Sequence, residues 1–199
     1  MSNVIANMSM SLDGFIEDQD GCVKHLFGWY ESGNQATTMP GDEREFRTSS
    51  ASAAELREAV AATGALICGR RLFDLTKGWG GRHLIGVPVF VVTHRAPDDC
   101  PQDDAPFTFV TDGVASAVER AQAVAGKKSV AVASADIARQ CLDAGLLDAV
   151  KVDLVPVRLG AGKPFFAGIA RAPVELDDPV ITQGEGVTHL LYRVRRAEG

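Results

Sequence analysis

The chain has 199 residues, of which 46% are hydrophobic and 23% are charged, a composition typical of one soluble globular domain with a full core. Its formal net charge of -6 argues against nucleic-acid or membrane partners, because proteins that bind phosphate-rich surfaces usually carry a net positive charge. We therefore expect a single domain over residues 1–199, in which any anion site is local.

The N-terminal residues MSNVIANMSM lack the basic and long apolar regions of a signal peptide, and no stretch approaches the roughly 20 apolar residues that span a bilayer. A cytoplasmic protein is the expectation. The four cysteines, Cys22, Cys68, Cys100 and Cys141, are scattered, and neither they nor the histidines have the spacing of a zinc site. Reduced structural thiols and no metal site are expected.

The first quarter of the chain combines a strand, a long connection and a helix start. Residues 3–10 predict a mostly buried strand. Residues 18–49 show little periodicity and predict a long functional or mobile loop. Ser52 and Glu55 then have the spacing of a capping box, in which the Ser hydroxyl and the Glu carboxylate satisfy free amides at the start of a helix that reaches about Ala62.

Strands and helices alternate through the middle of the chain. Strands are predicted at residues 65–68, 87–93, 107–111, 129–133 and 149–157, and helices at residues 69–77, 114–125 and 136–144. This alternation implies right-handed crossovers and a mainly parallel sheet. A C-terminal hairpin turning at residues 184–186 adds antiparallel strands. The period-two pattern of residues 149–157 exposes Lys151 and Asp153 on one face.

Cationic side chains follow two of the predicted strands. CGRRLFD and VVTHRAP together contribute Arg70, Arg71, His94 and Arg95. An open α/β sheet binds ligands at the carboxyl ends of its strands, and arginine binds phosphate in a bidentate manner. The cluster indicates a site for a polyanionic ligand, and the alternative is a set of solvated surface cations.

Small residues stand at a third junction, VASADIARQ. Ala133, Ser134 and Ala135 would let a diphosphate approach the backbone, with the Ser134 hydroxyl and the amides of Asp136 and Ile137 as donors. The alternative is an ordinary helix cap by Ser134 or Asp136. A later segment, LGAGKPFF, is not a P-loop, because Val157 and Pro164 stand where that motif needs Gly and Ser or Thr.

An Asp-Gly pair interrupts the apolar stretch MSLDGFIE at residues 10–17. Gly14 predicts a turn with positive φ or the close approach of a ligand. Asp13 either orders that turn by accepting hydrogen bonds from the amides that follow, or turns its carboxylate toward a site to orient substrate or water. Both interpretations stay open.

These motifs in this order, MSLDGFIE, CGRRLFD, VFVVTH and ADIARQCLDAGLLDAVKVDLVPVRLGAGKPFF, resemble the dihydrofolate reductase-like superfamily. The closest resemblance is to the C-terminal reductase domain of the riboflavin enzyme RibD, and it covers nearly the whole chain. It implies an α/β three-layer sandwich with a mostly parallel central sheet, flanking helices and a C-terminal antiparallel hairpin. It also implies a homodimer and NADPH-dependent hydride transfer to a small pterin-, pyrimidine- or flavin-related heterocycle.

The resemblance implies a cofactor site assembled from strand ends, a helix start and a small-residue turn. Its residues are Ser9 and Ile16 beside the nicotinamide, Gly69, Arg70 and Arg71 at the phosphates, Thr93, His94 and Arg95 at the adenosine side, and Ala133, Ser134, Ala135, Asp136 and Ile137 along the diphosphate. Family members often carry Gly-Gly, or Glu-Gly-Gly in riboflavin enzymes, where this chain has Ala133 and Ser134.

The proton donor is not fixed by the resemblance, because Ala53 stands where dihydrofolate reductases carry the acid that holds the pterin. Asp13, Glu17 and Glu55 are the catalytic candidates, with an ordered water as the alternative. Phe27, Trp29 and Tyr30 either form an aromatic wall for a flat substrate or pack beneath the loop. Two other functions stay open: an NADP(H)-binding sensor or carrier without turnover, and a dimer in which the strand-end arginines pair with partner carboxylates.

Overall fold

The structure, a computed structural model, describes residues 2–97 and 106–195, so that the predicted thiol at Cys100 lies outside the described residues. The helices are α1 (Ser50–Ala62), α2 (Arg70–Leu75), α3 (Val114–Ala125) and α4 (Ala135–Asp143). The strands are β1 (Val4–Ser11), β2 (Phe15–Asp18), β3 (Gln35–Met39), β4 (Asp42–Thr48), β5 (Thr63–Gly69), β6 (Val89–Val92), β7 (Phe107–Val110), β8 (Ser129–Val132), β9 (Ala149–Val155), β10 (Gly162–Pro164), β11 (Val180–Gln183) and β12 (Thr188–Arg193).

The central sheet has eight strands in the order β11-β12-β9-β1-β8-β5-β6-β7. The strands from β9 to β7 run parallel, with β1 between β8 and β9. β12 joins β9 in antiparallel fashion and forms the hairpin with β11 at the sheet edge. The predicted mainly parallel sheet with a C-terminal hairpin is confirmed.

The two faces of the sheet follow from the alternation of side chains along β1. Val4 and Ala6 are buried against the face covered by α3 and α4, whereas Asn7 points to the opposite face, beneath α1. On α3, buried residues recur at helical spacing as predicted, and Gly126 ends that helix with a φ of 62°. Within residues 2–97 and 106–195, no helix is long and apolar enough to cross a membrane.

The N-cap of α1 lies three residues before the predicted cap. Its N-cap is Ser49, whose extended backbone lets its Oγ accept a hydrogen bond from the Ser52 amide at 3.2 Å. Ser52 is fully buried within the helix, and the Glu55 carboxylate bonds Lys151 and Thr182 instead of an amide at the helix start. The predicted capping box of Ser52 and Glu55 is therefore wrong.

The predicted long loop contains regular structure. β2 ends where this segment begins and pairs with β10, and within the segment β3 pairs with β4 in a hairpin that turns at residues 40–41. The ring of Trp29 is buried against Leu26, Val155 and Val187, and the ring of Tyr30 stacks on it at a centroid distance of 4.1 Å. Trp29 and Tyr30 therefore pack beneath the loop, which is the second of the two interpretations, whereas the Phe27 side chain is exposed.

Candidate functional site

A cleft of about 790 Å³ opens at the carboxyl ends of the parallel strands. It brings together all but one of the residues that the resemblance assigned to the cofactor: Ile16, Gly69, Arg70, Arg71, Thr93, His94, Arg95, Ala133, Ser134, Ala135, Asp136 and Ile137. The exception is Ser9, which is buried outside the cleft lining, while its neighbour Met8 lines the cleft. Successive strand residues face opposite sides, so the prediction placed the wrong member of this pair in the cleft.

The start of α4 presents unused backbone amides at the cleft. Within the described part of the chain, no side chain caps this helix, because the Ser134 Oγ instead accepts a hydrogen bond from the Gly69 amide at 3.0 Å. The first bond of the helix runs from the Ala138 amide to the Ser134 carbonyl. The amides of Ala135, Asp136 and Ile137 and the positive end of the helix dipole therefore suit an anion.

The arginines of the cleft form ion pairs near solvent. Arg70 donates to Asp74 at 2.7 Å, one turn further along α2, and Arg71 donates to Glu17 at 2.6 Å. Hydrogen bonds from Arg139 lower the pKa of Asp136, and a bond from Gln140 and the charge of Lys163 contribute in the same direction. Exposed ion pairs contribute little net free energy, so an anionic ligand can exchange with their carboxylates.

Two further basic residues of the cleft, His94 and Lys163, have no hydrogen-bond or ion-pair partner within residues 2–97 and 106–195. Sequence reasoning missed Lys163, which lies on β10. The Gly-rich segment around it is not a P-loop, but it forms a wall of the cleft by pairing with β2. The sequence signal that could have indicated this basic residue of the cleft is the single Lys between Gly162 and Pro164.

Of the catalytic candidates, Glu17 lines the cleft and Asp13 does not. The Asp13 carboxylate accepts hydrogen bonds from the Ser11 hydroxyl at 2.6 Å, the Leu159 amide at 3.1 Å and the Gly160 amide at 2.7 Å. The Ser11 bond and then these amides lower the pKa of Asp13 to about 2. Gly14 adopts the predicted positive φ, at 90°. Asp13 orders backbone, but in a loop far along the chain rather than in the turn that follows it.

Glu55 lies on the other face of the sheet. It accepts hydrogen bonds from the Lys151 ammonium at 2.8 Å and the Thr182 hydroxyl at 2.7 Å beside a smaller cavity of about 300 Å³. Burial acts to raise the pKa of Glu55, but these bonds outweigh it and the pKa is lowered. The carboxylate is held ionised and outside the cleft, an arrangement that does not suit a proton donor.

A buried polar chain on the same face was also missed. Asp153 contacts the Nδ1 of His189 at 2.7 Å, the His189 Nε2 contacts the Ser52 Oγ at 2.9 Å, and Ser49 donates to Ser52 at 3.1 Å. Ser52 is fully buried and His189 is 3% exposed. The predicted exposure of Lys151 and Asp153 on β9 is wrong, since their side chains are 14% and 12% exposed, because the β12 hairpin and α1 cover this face. The order Asp, His, Ser is that of a hydrolase triad, but a serine without access to solvent or ligand links elements instead.

Residues 2–187 match the family profile of the RibD C-terminal domain. The chain belongs to the RibD C-terminal domain family. No functionally curated protein gives a significant sequence match. The fold of this RibD C-terminal domain protein agrees with that of a protein from Shewanella sp. PV-4 described as belonging to riboflavin biosynthesis, with a TM-score of 0.72 and 18% identity over 98% of this chain and 99% of the other.

Two further solved structures share the fold. Dihydrofolate reductase from Enterococcus faecalis, complexed with NADP(H), has a TM-score of 0.52 and 15% identity, over 98% of this chain and 97% of the other. The Thermotoga maritima diaminohydroxyphosphoribosylaminopyrimidine deaminase and 5-amino-6-(5-phosphoribosylamino)uracil reductase has a TM-score of 0.60 and 14% identity over 98% of this chain. This chain covers 57% of that protein. The expected dihydrofolate reductase-like fold is confirmed.

Proposed function

We propose that this RibD C-terminal domain protein is an NADPH-dependent reductase that transfers hydride to a small heterocyclic substrate related to pterins, pyrimidines or flavins. The observation that carries the proposal is the cleft itself, where uncapped amides of α4 and a group of cations meet at the carboxyl ends of the strands. Its volume of about 790 Å³ lies within the range of ligand pockets, roughly 300–1,000 Å³.

The residues present fit a phosphorylated dinucleotide. The amides at the start of α4 would hold the diphosphate, and Arg70, His94 and Arg95 would hold the additional phosphate that distinguishes NADPH from NADH. The apolar side chains of Met8 and Ile16 suit the nicotinamide end. NADPH supplies the hydride when bound, so the chain's own contribution is to bind and orient the reactants.

Glu17 is the candidate for handling the proton in this reaction. Among Asp13, Glu17 and Glu55, it is the one whose side chain lines the cleft. Glu17 follows Ile16 in the sequence, and both residues line the cleft. Because Ile16 suits the nicotinamide end, the Glu17 carboxylate would lie beside the substrate that accepts the hydride. We propose that Glu17 orients the substrate or a water that delivers the proton.

Titration of the protein with NADPH and with NADH, followed by fluorescence, tests the proposal. The expected result is measurable binding of NADPH and weaker binding of NADH, followed by NADPH oxidation with at least one member of a panel of folates, pyrimidines, flavins and quinones. Absence of binding to both nucleotides would exclude the reductase. Equal affinity for both would exclude the phosphate role of His94 and Arg95.

A second candidate is an NADP(H)-binding sensor or carrier without turnover. Two observations favour it. The Glu17 carboxylate is already paired with Arg71, and the other two catalytic candidates, Asp13 and Glu55, do not line the cleft. Tight NADPH binding without oxidation across the same panel would support it. For either function we propose a single domain and a homodimer, which light scattering of the full chain would test.

A further inference from the structure

One ion pair joins two walls of the cleft. Arg71 is the second residue of α2, which follows β5, whereas Glu17 lies on β2, and the Arg71 Nη1 donates to the Glu17 Oε1 at 2.6 Å. The guanidinium also lies against the turn after β2, since a side chain at Gly21 would stand 3.7 Å from the Arg71 Nη2. Both residues line the cleft, so this bridge spans the space that a ligand would enter.

The bridge differs from the neighbouring ion pairs of the cleft. Arg70 pairs with Asp74, and Arg139 pairs with Asp136, each within a single helix. Breaking such a local pair would not separate two elements of the fold, because both partners belong to the same helix. The pair of Glu17 and Arg71 instead connects residues 54 positions apart, and it holds β2 against the start of α2.

The two partners differ in their access to water. The Arg71 side chain is 55% exposed, whereas that of Glu17 is 12% exposed. Arg71 can therefore turn its five N–H donors to an incoming phosphate, which arginine binds in a bidentate manner. Glu17 cannot gain full hydration in exchange, so once released it needs another hydrogen-bond donor within the cleft.

We propose that an anionic dinucleotide competes with Glu17 for Arg71, so that cofactor binding breaks the bridge and frees the Glu17 carboxylate to accept a hydrogen bond from the second reactant. This inference rests on the proposed reductase function. It makes Glu17 a positioning residue whose availability depends on the cofactor. It also predicts that the cofactor binds before the substrate, because Glu17 stays occupied until then.

A double-mutant cycle on NADPH affinity tests the competition. We expect Glu17→Gln to tighten NADPH binding about two- to five-fold, the scale of an exposed ion pair. We expect Arg71→Ala to weaken binding about ten-fold through loss of a charge-assisted hydrogen bond. Because Glu17 acts through Arg71, adding Glu17→Gln to Arg71→Ala should change affinity no further.

The control is Glu45→Gln, which removes an ion pair of 2.7 Å with Arg47 on β4, outside the cleft lining, and should leave NADPH affinity unchanged. Thermal unfolding of each variant reports folding. Unchanged or weaker binding by Glu17→Gln would overturn the competition and indicate that Glu17 only positions Arg71. Equal tightening in both backgrounds would overturn it in favour of general charge repulsion. Absence of NADPH binding by the unmodified protein would instead exclude the proposed function.

Discussion

The two faces of the central sheet use charged residues in different ways. At the carboxyl ends of the strands, Arg70 and Arg71 lie near solvent in ion pairs that a ligand can replace. On the face beneath α1, Asp153 and His189 are buried, and each imidazole nitrogen contacts a side chain of the protein. The ion pairs of the cleft can be replaced by contacts with a ligand, whereas the hydrogen bonds of the buried chain stay in place and stabilise the fold.

The difference teaches which polar residues to assign to binding and which to stability. A buried polar group costs free energy unless it is hydrogen-bonded, so His189 cannot leave Asp153 for a ligand without a loss of stability. An exposed arginine keeps its solvation and can change partners at little cost. Burial and completeness of hydrogen bonding, rather than residue type, separate the two regions.

The largest expected effect is on the buried chain. His189→Ala removes the imidazole that contacts the Asp153 carboxylate and one of the two partners of the Ser52 hydroxyl, and we expect it to lower the free energy of unfolding by about 3 kcal/mol, as for other broken buried pairs. Urea denaturation measures this loss. NADPH affinity should stay within about two-fold of the original, because the chain lies on the face away from the cleft.

The matched control is His25→Ala, which changes an exposed histidine and should alter the free energy of unfolding by less than about 0.5 kcal/mol. If His189→Ala lost NADPH affinity without a loss of stability, the buried chain would belong to the NADPH-binding site and would not serve mainly to stabilise the fold.

The next effect is on the cleft. Arg70→Ala should weaken NADPH binding about ten-fold by removing a charge-assisted hydrogen bond to phosphate, with a change in stability below about 1 kcal/mol. Calorimetric titration measures the affinity. Arg120→Ala is the control, because it removes an exposed ion pair of 3.0 Å with Asp112 outside the cleft lining. An altered dimer equilibrium with unchanged affinity would instead support the structural role of the arginines.

The sequence predicts the cleft well because its residues belong to short strand-to-helix junctions. Parallel strands bring such junctions to one edge of the sheet, so predicting the strands around Cys68, Val91 and Val132 already groups the arginines with the α4 start. The choice between Ser9 and Met8 needs the register of β1 to within one residue, and a shift of one residue reverses the face.

The buried face was less predictable because its contacts join distant segments. Asp153 reads as exposed from the alternation of β9, and only the docking of His189, 36 residues later, buries it. Ser49, Ser50 and Ser52 are all acceptable caps by residue type, so the helix start depends on backbone geometry. The hairpin of β3 and β4 carried a local signal, the Pro40-Gly41 turn, which the surrounding charges obscured.

The smallest effect tests Asp13, which belongs to the cleft's support rather than to its lining. Its carboxylate holds the amides of Leu159 and Gly160 before β10, and its pKa is lowered from 3.8 to about 2. A carboxylate with a lowered pKa in the folded protein stabilises it above the ordinary pKa, and this contribution is lost as the pH falls through the lowered value. Asp13→Asn should therefore reduce stability at neutral pH, and the difference from the original protein should vanish between pH 3.8 and about 2. Urea denaturation across this range measures the effect, with the exposed Asp20→Asn as control. If Asp13→Asn abolished turnover while the stability curves coincided at every pH, the carboxylate would act on the substrate and the cleft would extend to this turn.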